Sequence, residues 1–304
     1  MIGVIGEALV DLVIAPDGSV VAHLGGGPYN AARAASRLGA DVSFFGTLSL
    51  DRFGRSLADQ LTADGVDVSY ALRVDQPTTL AAAEIDGDGS ATYRFYTAGT
   101  SAGLFEAAAV DLSAVELIFT GGLALVLQPM ADEVERLVAA LDDRVALMVD
   151  VNCRPRVVAD REAYERRVER ILRRANVVKV STDDLRYLRP DLQPSIAARA
   201  LAADGVGVVL VTDGGADVTV LTPAGERSVT VPQVDVVDTV GAGDTFCGGF
   251  IASADARGWK LNAALTLDHL VSAVADAVAA SALACQRAGA DPPTAAEIPG
   301  WPVR

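Results

Sequence analysis

Asp238-Thr239-Val240-Gly241-Ala242-Gly243-Asp244-Thr245-Phe246 combines a small-residue turn with an acid at the start of a Gly-containing helical stretch that runs to Ala256. A turn that opens a helix leaves backbone N–H groups without intrahelical acceptors at the positive end of the helix dipole. Gly241, Ala242 and Gly243 can therefore hold a phosphoryl oxygen without a lysine. Asp244, at the same helix start, stays ionised and can take a proton from an alcohol while the amides carry the charge of a transferred group. That chemistry is phosphoryl transfer to a hydroxyl. Asp is also a good helix cap, so the turn alone leaves capping and catalysis both open.

A second turn, Gly25-Gly26-Gly27-Pro28-Tyr29-Asn30, offers the complementary half. Gly26 and Gly27 let the backbone approach a ligand, Pro28 suits a first helical turn, and Asn30 brings a donor and acceptors to a polyol. Asp11 could accept from two neighbouring hydroxyls; alternatively Asn30 satisfies its own loop and Asp11 is a solvated strand residue. Asn30 and Phe246 stand where a dinucleotide fingerprint needs a small residue, which disfavours a Rossmann dehydrogenase. With no G-K-[ST], H-R-D or D-F-G, P-loop and protein-kinase chemistry are disfavoured too.

These turns need a scaffold. Short β-branched runs at residues 2–6, 42–45, 117–120, 145–149, 177–180 and 208–211 alternate with helical patterns at 28–38, 129–141, 161–174 and 195–203. The alternation predicts a mostly parallel sheet covered by helices on both faces, with ligands at the carboxyl ends of its strands. Two hairpins, 9–14 with 19–24 and 79–85 with 91–96 around Asp86-Gly87-Asp88-Gly89, predict a small separate sheet. Residues 291–304 read as an extended tail.

The chain is long enough, at 304 residues and 51% hydrophobic, to bury a complete core. A formal charge of -15 argues against nucleic acid and anionic membranes as partners. Only Lys179 and Lys260 could serve as phosphate-binding lysines. Cys153, Cys247 and Cys285 form no C-x-x-C, and His23 and His269 complete no metal motif, which fits a reducing compartment. The start of the chain lacks a basic leader and the apolar run at 117–127 is too short to span a bilayer, so a cytoplasmic protein is expected.

The residues from Gly25 to Ala32, continuing to Leu38-Gly39, resemble the N-terminal signature of the ribokinase-like, pfkB-type carbohydrate kinases, and residues 238–246 resemble their C-terminal signature. The two lie more than 200 residues apart in the family's order, so the resemblance spans essentially the whole chain. It implies an α/β, Rossmann-like (ribokinase-like) three-layer α/β/α sandwich with a mostly parallel central sheet. Residues 1–304 would be a single kinase unit, with a β-sheet lid formed by about 9–24 and 77–98. The implied reaction is ATP-dependent transfer of the γ-phosphoryl group to a terminal hydroxyl of a small carbohydrate, with Mg²⁺.

By position, Asp244 matches the family's catalytic base and Gly241, Ala242 and Gly243 its anion hole, while Asp11, Gly26, Gly27 and Asn30 match sugar contacts. Asp150-Val151-Asn152-Cys153-Arg154 resembles the D-x-N-x-R strand end and makes Arg154 a candidate beside substrate or phosphates. Thr212-Asp213-Gly214-Gly215 resembles the nucleotide loop, so Thr212, Gly214 and Gly215 are ATP candidates, although Asp217 stands where a further glycine is usual. Residues 179–184 align with the N-x-x-E element, with Ser181 and Asp184 replacing Asn and Glu. Lys179 and Ser181 are thereby nucleotide candidates and Asp184 an indirect Mg²⁺ contact; the structural alternative is a helix capped by Thr182. Asp238 matches a position where some members bind a monovalent cation, which makes K⁺ a candidate.

G-G-x-P-x-N and Tyr93-Arg94-Phe95-Tyr96 resemble the fructokinase branch, with Arg94 a candidate sugar contact. Thr97 stands where that branch often has Arg, and Tyr29 is a bulky phenol expected to reshape the pocket. Fructose is the expected acceptor; ribose, a 2-keto-3-deoxy sugar acid or a nucleoside are alternatives, and a non-catalytic sugar- or nucleotide-binding regulator is the alternative of another class. The partners implied are a small sugar, ATP and a second copy through the lid.

Overall fold

The structure, a computed structural model, describes residues 1–86 and 91–303. The first half of the chain forms β1 (Ile2–Ile5), β2 (Leu9–Ile14), β3 (Val20–Gly25), α1 (Gly27–Arg37), β4 (Val42–Phe44), β5 (Thr47–Ser49), α2 (Arg52–Ala63), β6 (Leu72–Val74), β7 (Leu80–Ile85), β8 (Ala91–Tyr96), β9 (Leu117–Gly121) and α3 (Met130–Ala139). The second half adds β10 (Ala146–Asp150), α4 (Arg161–Leu172), β11 (Val177–Ser181), α5 (Thr182–Leu188), α6 (Pro194–Ala203), β12 (Val208–Asp213), β13 (Ala216–Thr222), β14 (Gly225–Val229), α7 (Ala242–Ala256) and α8 (Leu267–Ala284).

Eight strands make the main sheet in the order β14-β13-β12-β11-β10-β9-β1-β4. Neighbours from β4 to β12 are parallel, and β13 and β14 close the far edge antiparallel. β1 and β10 are buried along their whole length, as strands covered on both faces must be. Helices α1, α7 and α8 share one core with Val4, Phe119 and Met148, while α3 to α6 share the other with Ile5, Ile118 and Val149. The three expected layers follow.

Helix α7 meets α1 at a glycine seam. A Cβ on Gly248 would lie 2.6 Å from the Ala34 Cβ and 2.7 Å from the Ala31 carbonyl oxygen, so no larger residue fits without moving α1. This close approach sets the first turns of α1 and α7 side by side although the chain separates them by more than 200 residues.

The second sheet has the order β3-β2-β7-β8 and is built from the two expected hairpins. Residues 87–89 of the second expected turn lie outside the described residues. Asp11 is in register with His23 and Ala81, and Ala81 with Phe95, so these side chains share one face with Leu9. Leu9, Ala81 and Phe95 pack there with Leu123 and Leu127. Leu12, Ala82 and Arg94 occupy the opposite face.

The C-terminal stretch is not the loose tail its composition suggests. Trp301 is 7% exposed and its indole N–H donates to the Leu38 carbonyl at 2.9 Å, which fastens residues 291–303 to the end of α1. Among the described residues only α8 is long and apolar enough to cross a membrane, and its Leu270, Ala273, Val274 and Ala277 are buried in the core shared with α7.

Candidate active site

At the carboxyl ends of the main-sheet strands, two helices begin on glycines. Gly26 precedes α1 and Gly241 precedes α7, and neither supplies a side-chain cap, whereas Asp51, Asp160, Ser181 and Thr266 cap α2, α4, α5 and α8. Gly241 adopts φ 74°, a left-handed conformation that turns the chain into α7. Beyond it, the Ala242 N–H donates to the Thr239 carbonyl at 3.2 Å and the Thr245 N–H to Gly241 at 2.8 Å. The N–H groups of Gly241, Gly243 and Asp244 have no carbonyl acceptor among the described residues. Of the three amides expected to form an anion hole, that of Ala242 is taken by the turn, while those of Gly241 and Gly243 are open, as is that of Asp244.

Asp244 is half-buried at this helix start, and Asn30 Nδ2 donates to its Oδ2 at 2.9 Å. Its Oδ1 lies 3.4 Å from the point a Cβ would occupy on Gly27. Both glycine turns thus converge on one carboxylate. Burial pushes Asp244 up to about 6, with the Asn30 hydrogen bond working against it.

Asp11 faces the same cleft from the small sheet, its Oδ2 lying 2.4 Å from where a Gly25 Cβ would sit. Burial pushes it up to about 6, opposed by His23 and Arg154. His23 Nδ1 comes within 3.8 Å of the Cβ position of Gly289, so β3 reaches across to the loop after α8. Arg154 is turned back over its own strand end, donating to Asn152 Oδ1 and, at 3.2 Å, to the Cys153 carbonyl. Asn152 takes φ 40°, a conformation Asn tolerates, to make that turn. The Arg154 guanidinium draws Glu7, Asp11, Asp150 and Asp244 toward their charged forms.

Beneath Gly243 lies a buried ion pair. Lys179 Nζ is 3.1 Å from Asp150 Oδ1 and 3.2 Å from Oδ2, and 3.3 Å from the Cβ position of Gly243. Burial alone would depress the Lys179 ammonium, but Asp150 overrides it and holds it above its ordinary value. Lys179 therefore lies directly below the turn. Lys260, the other lysine, pairs with Glu116 at the surface.

Ser181, not Thr182, caps α5. Its hydroxyl accepts from the Asp184 N–H at 3.0 Å, and Asp184 in turn accepts from Ser181 N–H and Oγ at 2.8 Å each and from Cys153 N–H at 2.7 Å. Asp238 ties two loops, accepting from Val240 at 3.0 Å and Gly289 at 2.8 Å. Thr212 pairs with Ser181 across β11 and β12, and Gly214 and Gly215 form the open turn into β13. Asp217 lies past that turn on β13, accepting from Ser228 Oγ at 3.2 Å, so it does not shape the loop.

Two expected pocket residues are elsewhere. Tyr29 is fully buried in the core, its ring approached by Arg33, because helical spacing turns it away from the side of α1 that carries Asn30. Arg94 is 61% exposed on the far face of the small sheet and bonds Glu84 at 3.0 Å; one position of strand alternation separates it from the Asp11 face. If the expected phosphoryl transfer is this protein's reaction, Arg94→Ala is accordingly expected to keep kcat and the acceptor KM within about twofold of the unaltered protein, checked by steady-state kinetics. His23, Phe95 and Tyr93 share the Asp11 face instead. Glu7, 3% exposed and accepting from the Gly27 N–H at 3.1 Å, is a further acid that no motif singled out.

Residues 1–297 match the family described as pfkB family carbohydrate kinase. A fructokinase of Rhizobium leguminosarum bv. trifolii is 32% identical over 258 residues, 82% of this chain and 78% of its own length. An aminoimidazole riboside kinase of Salmonella typhimurium (strain LT2) is 30% identical over 296 residues, 94% of this chain and 89% of that one. A fructokinase of Xylella fastidiosa solved with bound ATP matches the fold with a TM-score of 0.89 at 26% identity, covering 99% of this chain and 97% of that one.

Proposed function

This chain belongs to the pfkB family of carbohydrate kinases, and from that premise we propose that it phosphorylates fructose from ATP with Asp244 as general base. As a member of that family it is a phosphotransferase with an alcohol group as acceptor. The observation that carries the proposal is the Asn30–Asp244 hydrogen bond, 2.9 Å long, which unites the sugar-side turn and the anion-side turn at one carboxylate.

The acceptor hydroxyl lies over Gly26 and Gly27, hydrogen-bonded by Asp11 and with Arg154 nearby, and gives its proton to Asp244 Oδ1. Its oxygen forms the new bond to phosphorus as the bond to the leaving ADP oxygen breaks. The open amides beside Asp244, with Lys179 beneath Gly243, receive the charge of the transferring group. ATP supplies that group from the side of Thr212, Gly214 and Gly215. The described residues contain no cluster of three or more His, Cys, Asp or Glu that could hold a metal. Mg²⁺ would enter with the nucleotide and offset the phosphate charge, and Asp184, already held by three protein donors, would reach it through water. K⁺, where it binds, would be held beside Asp238, between the two loops whose N–H groups that carboxylate accepts from. The small sheet acts as a lid that excludes water, and a second copy would cover its outer face, where Val20 and Tyr96 are 56% and 54% exposed.

An acceptor screen tests the function. ADP release is expected with fructose above ribose, 2-keto-3-deoxygluconate and nucleosides; preference for a riboside would favour the second reading, which the 30% identical aminoimidazole riboside kinase supports. Binding of sugar and ATP with no acceptor-dependent ADP formation would leave a non-catalytic regulator. The cytoplasm is the location proposed for this reaction.

A further inference from the structure

We propose that Glu7 is a positioning residue for Asp244, acting through the first turn of α1 from outside the helix. The inference rests on the reading of Asp244 as the base. Glu7 follows β1, and its Oε1 accepts from the N–H of Gly27, the first residue of α1, at 3.1 Å. The N-cap residue Gly26 has no side chain to do this, so the acid supplied by the β1–β2 connection takes over the cap.

The surroundings are shaped to that carboxylate. A Cβ on Gly122 would stand 3.0 Å from Oε1, and Gly122 holds φ 58°, a conformation that excludes most other residues. Oε2 is closed to solvent and makes no hydrogen bond among the described residues. The amides of Glu7 and Leu123 and the charge of Arg154 favour the ionised form, while burial opposes it and pushes the group up to about 7. An unpartnered oxygen in so closed a place is costly, and simple packing would not call for an acid there.

What connects Glu7 to the chemistry is the α-carbon of Gly27. The point where its Cβ would lie is 3.3 Å from Asn152 Nδ2, 3.4 Å from Asp244 Oδ1 and 3.6 Å from Glu7 Oε1. Asn30 follows within the same helical turn and grips the other oxygen of Asp244. Releasing Gly27 from Glu7 loosens the turn that carries Asn30, and Asp244 loses its orientation toward the acceptor. The nucleotide, which the proposed function brings in from the side of Thr212, Gly214 and Gly215, would be untouched.

The test is a kinetic cycle on the purified full-length protein with its best acceptor: Glu7→Ala, Glu7→Gln, Asn30→Ala, the double variant Glu7→Ala/Asn30→Ala, and Asp244→Asn. Glu7→Ala is expected to lower kcat about 10- to 100-fold with the ATP KM changed less than about twofold, and Glu7→Gln, whose amide oxygen can accept the same N–H, to recover to within about fivefold of the unaltered enzyme. The double variant should be no slower than the worse single one, because both act on one hydrogen bond. Normal kcat in Glu7→Ala, equal impairment in Glu7→Ala and Glu7→Gln, or multiplicative losses in the double variant would each overturn the proposal. If Glu7→Ala does not fold, Glu7→Leu, close to Glu in volume but without an acceptor for the Gly27 N–H, replaces it in each of these comparisons. Undiminished turnover by Asp244→Asn would instead sink the base assignment itself.

Discussion

An Asp244→Asn enzyme is expected to turn over at least about a hundredfold more slowly than the unaltered protein, with its sugar KM changed by less than about threefold. The amide is nearly isosteric, so Asn30 and the open amides of α7 stay in place, and what disappears is the acceptor for the hydroxyl proton. Because burial holds Asp244 at about 6, the unaltered enzyme should show an acid limb of kcat/KM near pH 6, not near 4, and the variant should lack it. Stability should move the other way. A carboxyl raised in the folded state costs stability as pH climbs from its unfolded value through the folded one. Asp244→Asn removes that cost, so its Tm should exceed the parent's by a few degrees at pH 8 and converge with it toward pH 4. The partial exposure of the side chain limits the gain. Rapid-quench turnover and thermal melts across pH check both halves; near-normal kcat in the variant is the fatal result.

The second large effect is thermodynamic. Lys179 and Asp150 are 5% and 3% exposed, and the ion pair between them is the support on which Gly243 rests. Lys179→Met strands a buried carboxylate and should cost about 3–5 kcal/mol of unfolding free energy. For a chain of this size that lowers Tm by roughly 5–8 °C. Adding Asp150→Leu removes the stranded charge and should restore most of the loss, which chemical denaturation of the single and double variants measures. A Lys179→Met protein as stable as its parent would mean that the ammonium does not neutralise Asp150 at all. The pair also bears on catalysis, since a cation under the open amides favours an anion above them, and the single variant should bind ATP less tightly than its parent.

Much of this was legible because two kinds of signal are local. The buried strands read as unbroken apolar runs, and the glycine turns announce backbone conformations that few other sequences need. What escaped is tertiary. The aromatic neighbours of Arg94 point to the pocket, yet face is decided by register with Asp11 through Ala81, and a one-residue offset inverts it. Tyr29 sits in the turn motif but points by helical phase into the core. β14, Gly-Glu-Arg-Ser-Val, is exposed over four of its five residues and carries no hydrophobic alternation, so it reads as loop. Trp301 gives no local sign that it will pack against α1. Glu7 is a lone acid after a strand, and only the fold brings Gly27 and Gly122 around it.

The Asn30–Asp244 contact joins residues 214 positions apart, across the Gly248 seam. On the proposed assignment, a nascent polypeptide still emerging from the ribosome would carry the acceptor cradle long before its proton acceptor exists, and would stay silent toward cellular nucleotide until the final helices have docked. The same separation makes the protein a natural two-piece reporter: halves severed between the cradle and the last helices would each be inert, and phosphorylation would return only on reassociation.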